Sequence, residues 1–276
     1  MRKALQYVRL GLTIGVMIIF YDLFFFKPYA RHPEKYPLEK RYRRLRELTL
    51  AILKSFKVEL HVEGKEYLTP KDGEKTLFVS NHLSEADPLI LIALSEKPIS
   101  FVAKEESMKM PFVGTCIRIL QGVPIDRHNL MNQLSEIKKI VNFIKDEDTP
   151  NVVIFPEGTR NKHPENPCLE FKGGSLKMAY MGKVSITPIS LYGTFRVLSL
   201  KHFLRRYPVY VKIDKPISKE EYTSITAVDL ADNLSNKINL DVNRFKKEDL
   251  KEIYKQKGLG SKRRIFESQP DFKLFS

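Results

Sequence analysis

Residues 76–90 read TLFVSNHLSEADPLI, and the fold turns on how they are read. Thr76 to Ser80 form a short β-prone run that suits a buried strand. Asp87 followed by Pro88 signals a helix start, with Asp87 as N-cap and Pro88 at the first helical position. Between them runs a loop from Asn81 to Ala86, at the carboxyl end of a strand, where α/β proteins place their chemistry. His82 and Asp87 bracket that loop. An aspartate beside an imidazole can hold its tautomer while the other ring nitrogen takes a proton from a hydroxyl. Taken alone, such a pair is more often a helix cap and an ordinary loop histidine.

Outward from this stretch, the short β-rich runs ISFVA (99–103), NVVIF (151–155), VSITPIS (184–190) and YPVYVKI (207–213) predict further strands. Helical patterns cover Pro88 to Leu94, Leu130 to Lys145 and Gly174 to Met181. The alternation predicts an α/β domain with a mixed central sheet flanked by helices, because a few connections are too short for a crossover helix. From Lys219 the chain is polar and helical in pattern as far as Gly258, and then a basic tail carries Lys262, Arg263 and Arg264. The expected organisation is a membrane-anchoring segment over 1–58, a catalytic domain over 59–218 and a helical extension with its tail over 219–276.

The N-terminal part has a different character. Leu10 to Phe26 is almost wholly apolar, and as a helix it covers roughly 25 Å, slightly short of the ~30 Å hydrocarbon core of a bilayer. A spanning helix and a leaflet-deep insertion both fit, whereas no small-residue cleavage site follows to mark a signal peptide. Pro28 and Pro37 predict a break. After it, Leu45, Leu48, Ile52, Leu53 and Phe56 recur at helical spacing behind Lys40, Arg41, Arg43, Arg44 and Arg46, the pattern of a basic amphipathic helix at a membrane interface. The rival reading packs that apolar stripe on the domain core. Eight Lys or Arg lie between Lys27 and Arg46, which puts the downstream domain on the cytoplasmic face of the cell membrane.

Lys and Arg outnumber Asp and Glu by 47 to 33, giving a net charge of +14 and a preference for anionic partners, nucleic acid or membrane lipid. No zinc, RRM or helix-turn-helix pattern supports nucleic acid, and the apolar segment argues against it. Cys116 and Cys168 have no metal-ligand spacing, and two cysteines do not make a disulfide scaffold.

A second candidate run, NVVIFPEGTRNKHPE (151–165), leads from a strand into Phe155, Pro156, Glu157, Gly158, Thr159 and Arg160. Glycine there permits a close backbone turn, and the arginine fork suits phosphate. Arg127 in GVPIDR and Lys172 in FKGGSLKMA add two further basic positions. Four blocks in order, NHLSEADP, GVPIDR, FPEGTR with the following FKGG, and TPIS, make the sequence resemble the glycerophospholipid acyltransferase family that includes 1-acylglycerol-3-phosphate acyltransferases. The resemblance covers about residues 76 to 192. Asn161 departs from it, since members often carry Ser after the arginine.

The resemblance implies a fold like that of the glycerol-3-phosphate acyltransferases and an enzyme of phospholipid biosynthesis. In such an enzyme His82 is the general base, Asp87 orients it, and Arg127, Glu157, Gly158, Thr159 and Arg160, with Lys172, form the site for a phosphoglycerol acceptor. The implied reaction moves an acyl group from a thioester to the sn-2 hydroxyl of lysophosphatidic acid. It needs no metal and no cofactor beyond the co-substrate, an acyl-carrier-protein or coenzyme A thioester. Two alternatives stay open at this point: a family member acting on glycerol 3-phosphate or another lysophospholipid, and a noncatalytic lipid-binding membrane protein.

Overall fold

The structure, a computed structural model, describes residues 2–71, 73–126, 133–199 and 204–256. The helices are α1 (Arg2–Tyr21), α2 (Lys27–Arg31), α3 (Leu38–Ser55), α4 (Asp87–Leu94), α5 (Val113–Ile119), α6 (Gln133–Lys145), α7 (Gly173–Gly182), α8 (Lys219–Tyr222) and α9 (Ala227–Lys255). The strands are β1 (Val58–Glu63), β2 (Thr76–Ser80), β3 (Ile99–Lys104), β4 (Val123–Ile125), β5 (Asn151–Ile154), β6 (Ser185–Tyr192) and β7 (Tyr207–Ile213). They form one seven-stranded sheet in the order β1-β7-β6-β2-β5-β3-β4. Every neighbouring pair is parallel except β6 and β7, so the sheet is mixed as expected.

Side chains alternate along a strand, and here each central strand feeds two cores. Phe78, Val153, Ile189, Leu191, Val209 and Val211 join the layer that holds α3, α4 and α5. Leu77, Val79, Val152, Ile154, Ile186 and Tyr210 join the layer of α6, α7 and α9. Burial on both faces is why these strands read as continuous apolar runs. The long α9 belongs to the second layer, burying Leu230, Leu234, Ile238, Val242 and Phe245 at helical spacing. The basic residues Lys262, Arg263 and Arg264 lie outside the described residues.

Strands β1 and β4 are absent from the sequence reading. VELHVE of β1 alternates polar with apolar residues directly behind a helix, and at the sheet edge its residues are half-buried as far as Val62, with Glu63 exposed. Strand β4 has only three residues.

Two expectations for the N-terminal part need correction. The helix does not break at Pro28: α1 runs through a π turn at Asp22–Phe26 into α2, and the chain leaves the helix at His32. A proline removes one N–H and crowds the preceding turn, and the wider π turn, with the Lys27 N–H bonded to the Asp22 carbonyl, accommodates it. Gly11–Arg31 is then an apolar stretch of 21 residues, about 32 Å at 1.5 Å per residue, long enough to cross a membrane by length and composition. Leu12, Val16, Ile19, Phe20, Leu23 and Phe24 are exposed along one side, while Phe26 and Tyr29 are buried at its foot. The Phe26 ring lies 6.0 Å from that of Phe112, beside α5.

The second correction concerns α3. Its stripe of Leu45, Leu48, Ile52 and Leu53 is buried in the domain core rather than open to an interface. Burial stabilises each such side chain by about 1.5–3 kcal/mol, more than a basic end gains from lipid phosphate at about 1 kcal/mol per charge. Part of the basic cluster is also committed inside the protein. Arg41, 4 % exposed, donates to the Ile119 carbonyl, and Arg46 donates to the Ala93 carbonyl, each at the carboxyl end of a helix where a cation is favoured. Lys40 and Arg43 stay exposed.

Candidate active site

Strands β2 and β5 are parallel neighbours with Val79 opposite Ile154, so their carboxyl ends release two loops side by side. The first carries His82 and Asp87, the second Glu157 to Arg160. Connections diverge here: β2 leads to β3 on one side of β5, and β5 leads on through α7 to β6 on the other side of β2. Such a crevice is where open α/β sheets bind ligands.

The first loop is rooted by Asn81. Its carboxamide oxygen accepts from the Leu191 N–H at 2.8 Å and its amide donates to the Leu191 carbonyl at 2.9 Å, imitating a peptide group of β6's neighbour. His82 follows, with Nδ1 2.7 Å from Asp87 Oδ2. That oxygen also accepts from the backbone N–H groups of Leu83 at 2.6 Å and Ser84 at 2.9 Å. Asp87 is fully buried and stands at the first helical position, so its carboxylate turns back on the loop instead of capping its own helix; Ala86 occupies the cap position, and no side chain caps there. The acceptor-only oxygen keeps the shared proton on Nδ1 and leaves Nε2 bare. The imidazole lies stacked at 4.1 Å on Phe155, the first residue of FPEGTR.

Gly158 makes the turn of the second loop, at a φ of 72° with its N–H bonded to the Phe155 carbonyl. A Cβ there would sit 3.2 Å from Lys172 Nζ, so the glycine lets that ammonium approach the loop. Thr159 is exposed, and Arg160 is half-exposed in an ion pair with Glu85 of the first loop. Glu157 lies differently from its neighbours. It is 3 % exposed, Oε1 accepts from the His82 N–H at 2.6 Å, and Oε2 accepts from the Leu169 N–H at 3.0 Å. Burial pushes its carboxyl up to about 7, against the pull of those two bonds and with Asp87 raising it further. Asn161, buried, donates its backbone N–H to the His82 carbonyl at 2.8 Å, and its side chain ties Pro167 and His163.

The structure therefore brings His82, Asp87, Glu157, Gly158, Thr159, Arg160 and Lys172 to one end of the sheet. Arg127 lies outside the described residues. Sequence reading missed Glu85, Phe155 and Asn161 as parts of the site, although Glu85 and Phe155 lie inside recognised blocks and Asn161 directly follows one. Phe155, Gly158 and Lys172 help to line a cleft of about 220 Å³ together with the apolar Ile137, Ile140 and Met178 and the acidic Asp126 and Glu136. The Lys172 cation beside several apolar side chains suits an amphiphile with an anionic head. Among the described residues no group of three His, Cys, Asp or Glu side chains is placed to hold a metal ion.

The family model described as Acyltransferase matches residues 59–192. A Mycoplasma pneumoniae protein named "Probable 1-acyl-sn-glycerol-3-phosphate acyltransferase" is 28% identical over 243 residues, 83% of this chain and 88% of its own. The 1-acyl-sn-glycerol-3-phosphate acyltransferase of Streptococcus pneumoniae is 27% identical over 208 residues, 75% of this chain and 74% of its own. The crystal structure of the 1-acyl-sn-glycerophosphate acyltransferase of Thermotoga maritima superposes with a TM-score of 0.63 at 22% identity, covering 87% of this chain and 98% of the other. That likeness is one of fold.

Proposed function

The chain belongs to the acyltransferase family, and on that premise we propose that it is a 1-acyl-sn-glycerol-3-phosphate O-acyltransferase, which makes phosphatidic acid from lysophosphatidic acid and an acyl thioester. The observation that carries this is the His82–Asp87 contact at 2.7 Å, at the end of the sheet that also holds Arg160, paired with Glu85 of the His82 loop, and Lys172, beside Gly158. An alcohol is a poor nucleophile until a base takes its proton.

In the proposed reaction His82 Nε2 accepts the proton of the sn-2 hydroxyl as its oxygen attacks the thioester carbonyl. The tetrahedral intermediate collapses, the carbon–sulfur bond breaks, and the proton passes from His82 to the leaving thiolate. Asp87 holds the ring and stabilises its positive charge. Arg160 and Lys172, with Arg127, hold the phosphate by charge-assisted bonds. Gly158 and Thr159 shape the backbone around it. No acyl-enzyme, metal or further cofactor enters. The exposed apolar side of α1 and the exposed Lys40 and Arg43 support binding to anionic lipid, with the catalytic domain on the cytoplasmic face.

The test is phosphatidic acid formation by the detergent-solubilised protein, with acyl-carrier-protein and coenzyme A donors supplied separately. His82→Ala is expected to lower kcat about 10²- to 10⁴-fold while the fold is retained. No product with either donor, from folded protein, would overturn the assignment in favour of glycerol 3-phosphate or another lysophospholipid as acceptor.

A further inference from the structure

His82 offers three polar handles, and each is held. Its ring is held by Asp87, its N–H by Glu157 Oε1 at 2.6 Å, and its carbonyl by the N–H of Asn161 at 2.8 Å. Two of these partners come from the loop after β5, some 75 residues along the chain. The N–H groups of His82, Leu83 and Ser84, three in succession, all point into buried carboxylates, the first into Glu157 and the next two into Asp87.

A phosphate dianion needs donors, and a carboxylate offers only acceptors. Glu157 is 3 % exposed and spends one oxygen on His82 and the other on Leu169, so it has neither the sign nor the access to hold an acceptor headgroup. We propose that Glu157 is a positioning residue for the base, fixing the His82 main chain through its carboxylate, and not part of the acceptor site. This rests on His82 being the base of the proposed reaction.

The charge of Glu157 is what makes its two bonds strong, and its surroundings do little to protect that charge. Around it lie Asp87 across the His82 peptide, the Cys168 thiol, pushed up to about 12 by burial, and Lys246 of α9 beyond Cys168. With its carboxyl at about 7, Glu157 gains a proton as the pH falls through neutrality, and the clamp on His82 loosens. Protonation of His82 itself stops it acting as a base in the same direction. Two groups then shape the acid side of the kcat profile in place of one.

The experiment measures kcat and KM for lysophosphatidic acid against pH, for the unmodified protein and for Glu157→Gln, with thermal melting as the check on folding. The glutamine leaves an amide N–H facing a backbone N–H. Expected are a 10- to 100-fold loss of kcat, the range for a misplaced catalytic group, a KM within about twofold, and an acid limb whose slope drops from nearly two to one in the variant. A KM raised tenfold with kcat kept would overturn the proposal and return Glu157 to the acceptor site. If the variant does not fold, the unmodified protein decides: a limb of slope one overturns the proposal, and a slope near two supports it. Absence of phosphatidic acid from the unmodified protein would strike the proposed function instead.

Discussion

Two carboxylates buried almost equally, Glu157 at 3 % exposure and Asp249 at 0 %, are held in opposite ways. Asp249 on α9 meets the buried Arg196 through two bonds, at 2.7 and 2.5 Å, and Arg196 also donates to the Pro208 carbonyl and lies over the Phe195 ring at 4.8 Å. Its charge is matched at once, and the pair ties α9 to the segment after β6. Glu157 has backbone N–H groups as its bonded partners among the described residues. Burial raises the carboxyl of both, but at Asp249 the Arg196 cation pulls against that rise, whereas at Glu157 only peptide dipoles do. The scaffold has the first arrangement and the active site the second.

Three measurements break or sharpen this contrast. Asp249→Ala leaves the Arg196 guanidinium buried and unmatched, and a loss of about 3–5 kcal/mol is expected, read from denaturant or thermal unfolding in detergent. Replacing both partners by apolar residues should recover most of that loss; if it does not, the pair is more than a matched charge. The second effect is smaller and depends on pH. The folded-state pKa of Glu157, about 7, stands above its ordinary 4.5, so its contribution to stability is complete below about 4.5 and is lost as the pH rises through 7. Relative to Glu157→Gln, the unmodified protein should lose about 3 kcal/mol between pH 4.5 and pH 8. A difference that does not vary with pH would mean that Glu157 is matched after all.

The smallest effect belongs to a third kind of carboxylate. Glu85 is largely exposed and pairs with Arg160, an arginine that the proposed reaction assigns to phosphate. Exposed pairs are worth at most about 1 kcal/mol, so Glu85→Gln should lower KM for lysophosphatidic acid no more than about fivefold and leave kcat alone. A larger fall, or a rise, would show that this carboxylate shapes the site more than an exposed pair can.

The sequence was legible where local chemistry settled the matter. Strands β2 and β7 begin and end where the sequence runs do, because burial on both faces keeps them largely apolar, with Thr76 and Ser80 at the ends of β2 and Lys212 near the end of β7. His82 and Asp87 lie on one short stretch, and it took the neighbouring blocks together to read their pairing, since the spacing alone fits a helix cap equally well. What escaped depends on partners distant in the chain. The stripe of α3 looks the same whether it faces lipid or protein, and only the presence of α4 and α5 decides. Glu157 sits in a recognised block beside Arg160, which suggested a shared ligand, yet its carboxylate turns inward to peptide groups that no residue type announces.

Asn81 grips the main chain of Leu191 with both ends of its carboxamide, and Asp87, Glu157 and Asn161 likewise hold peptide groups. A bond of this kind places no demand on the side chain of the residue it holds. Position 191 can drift among apolar residues while its tie to position 81 persists. Paired substitutions across related sequences would therefore record little of this scaffolding, and a map of the site built from correlated mutations would find the loops next to each other without finding what fastens them.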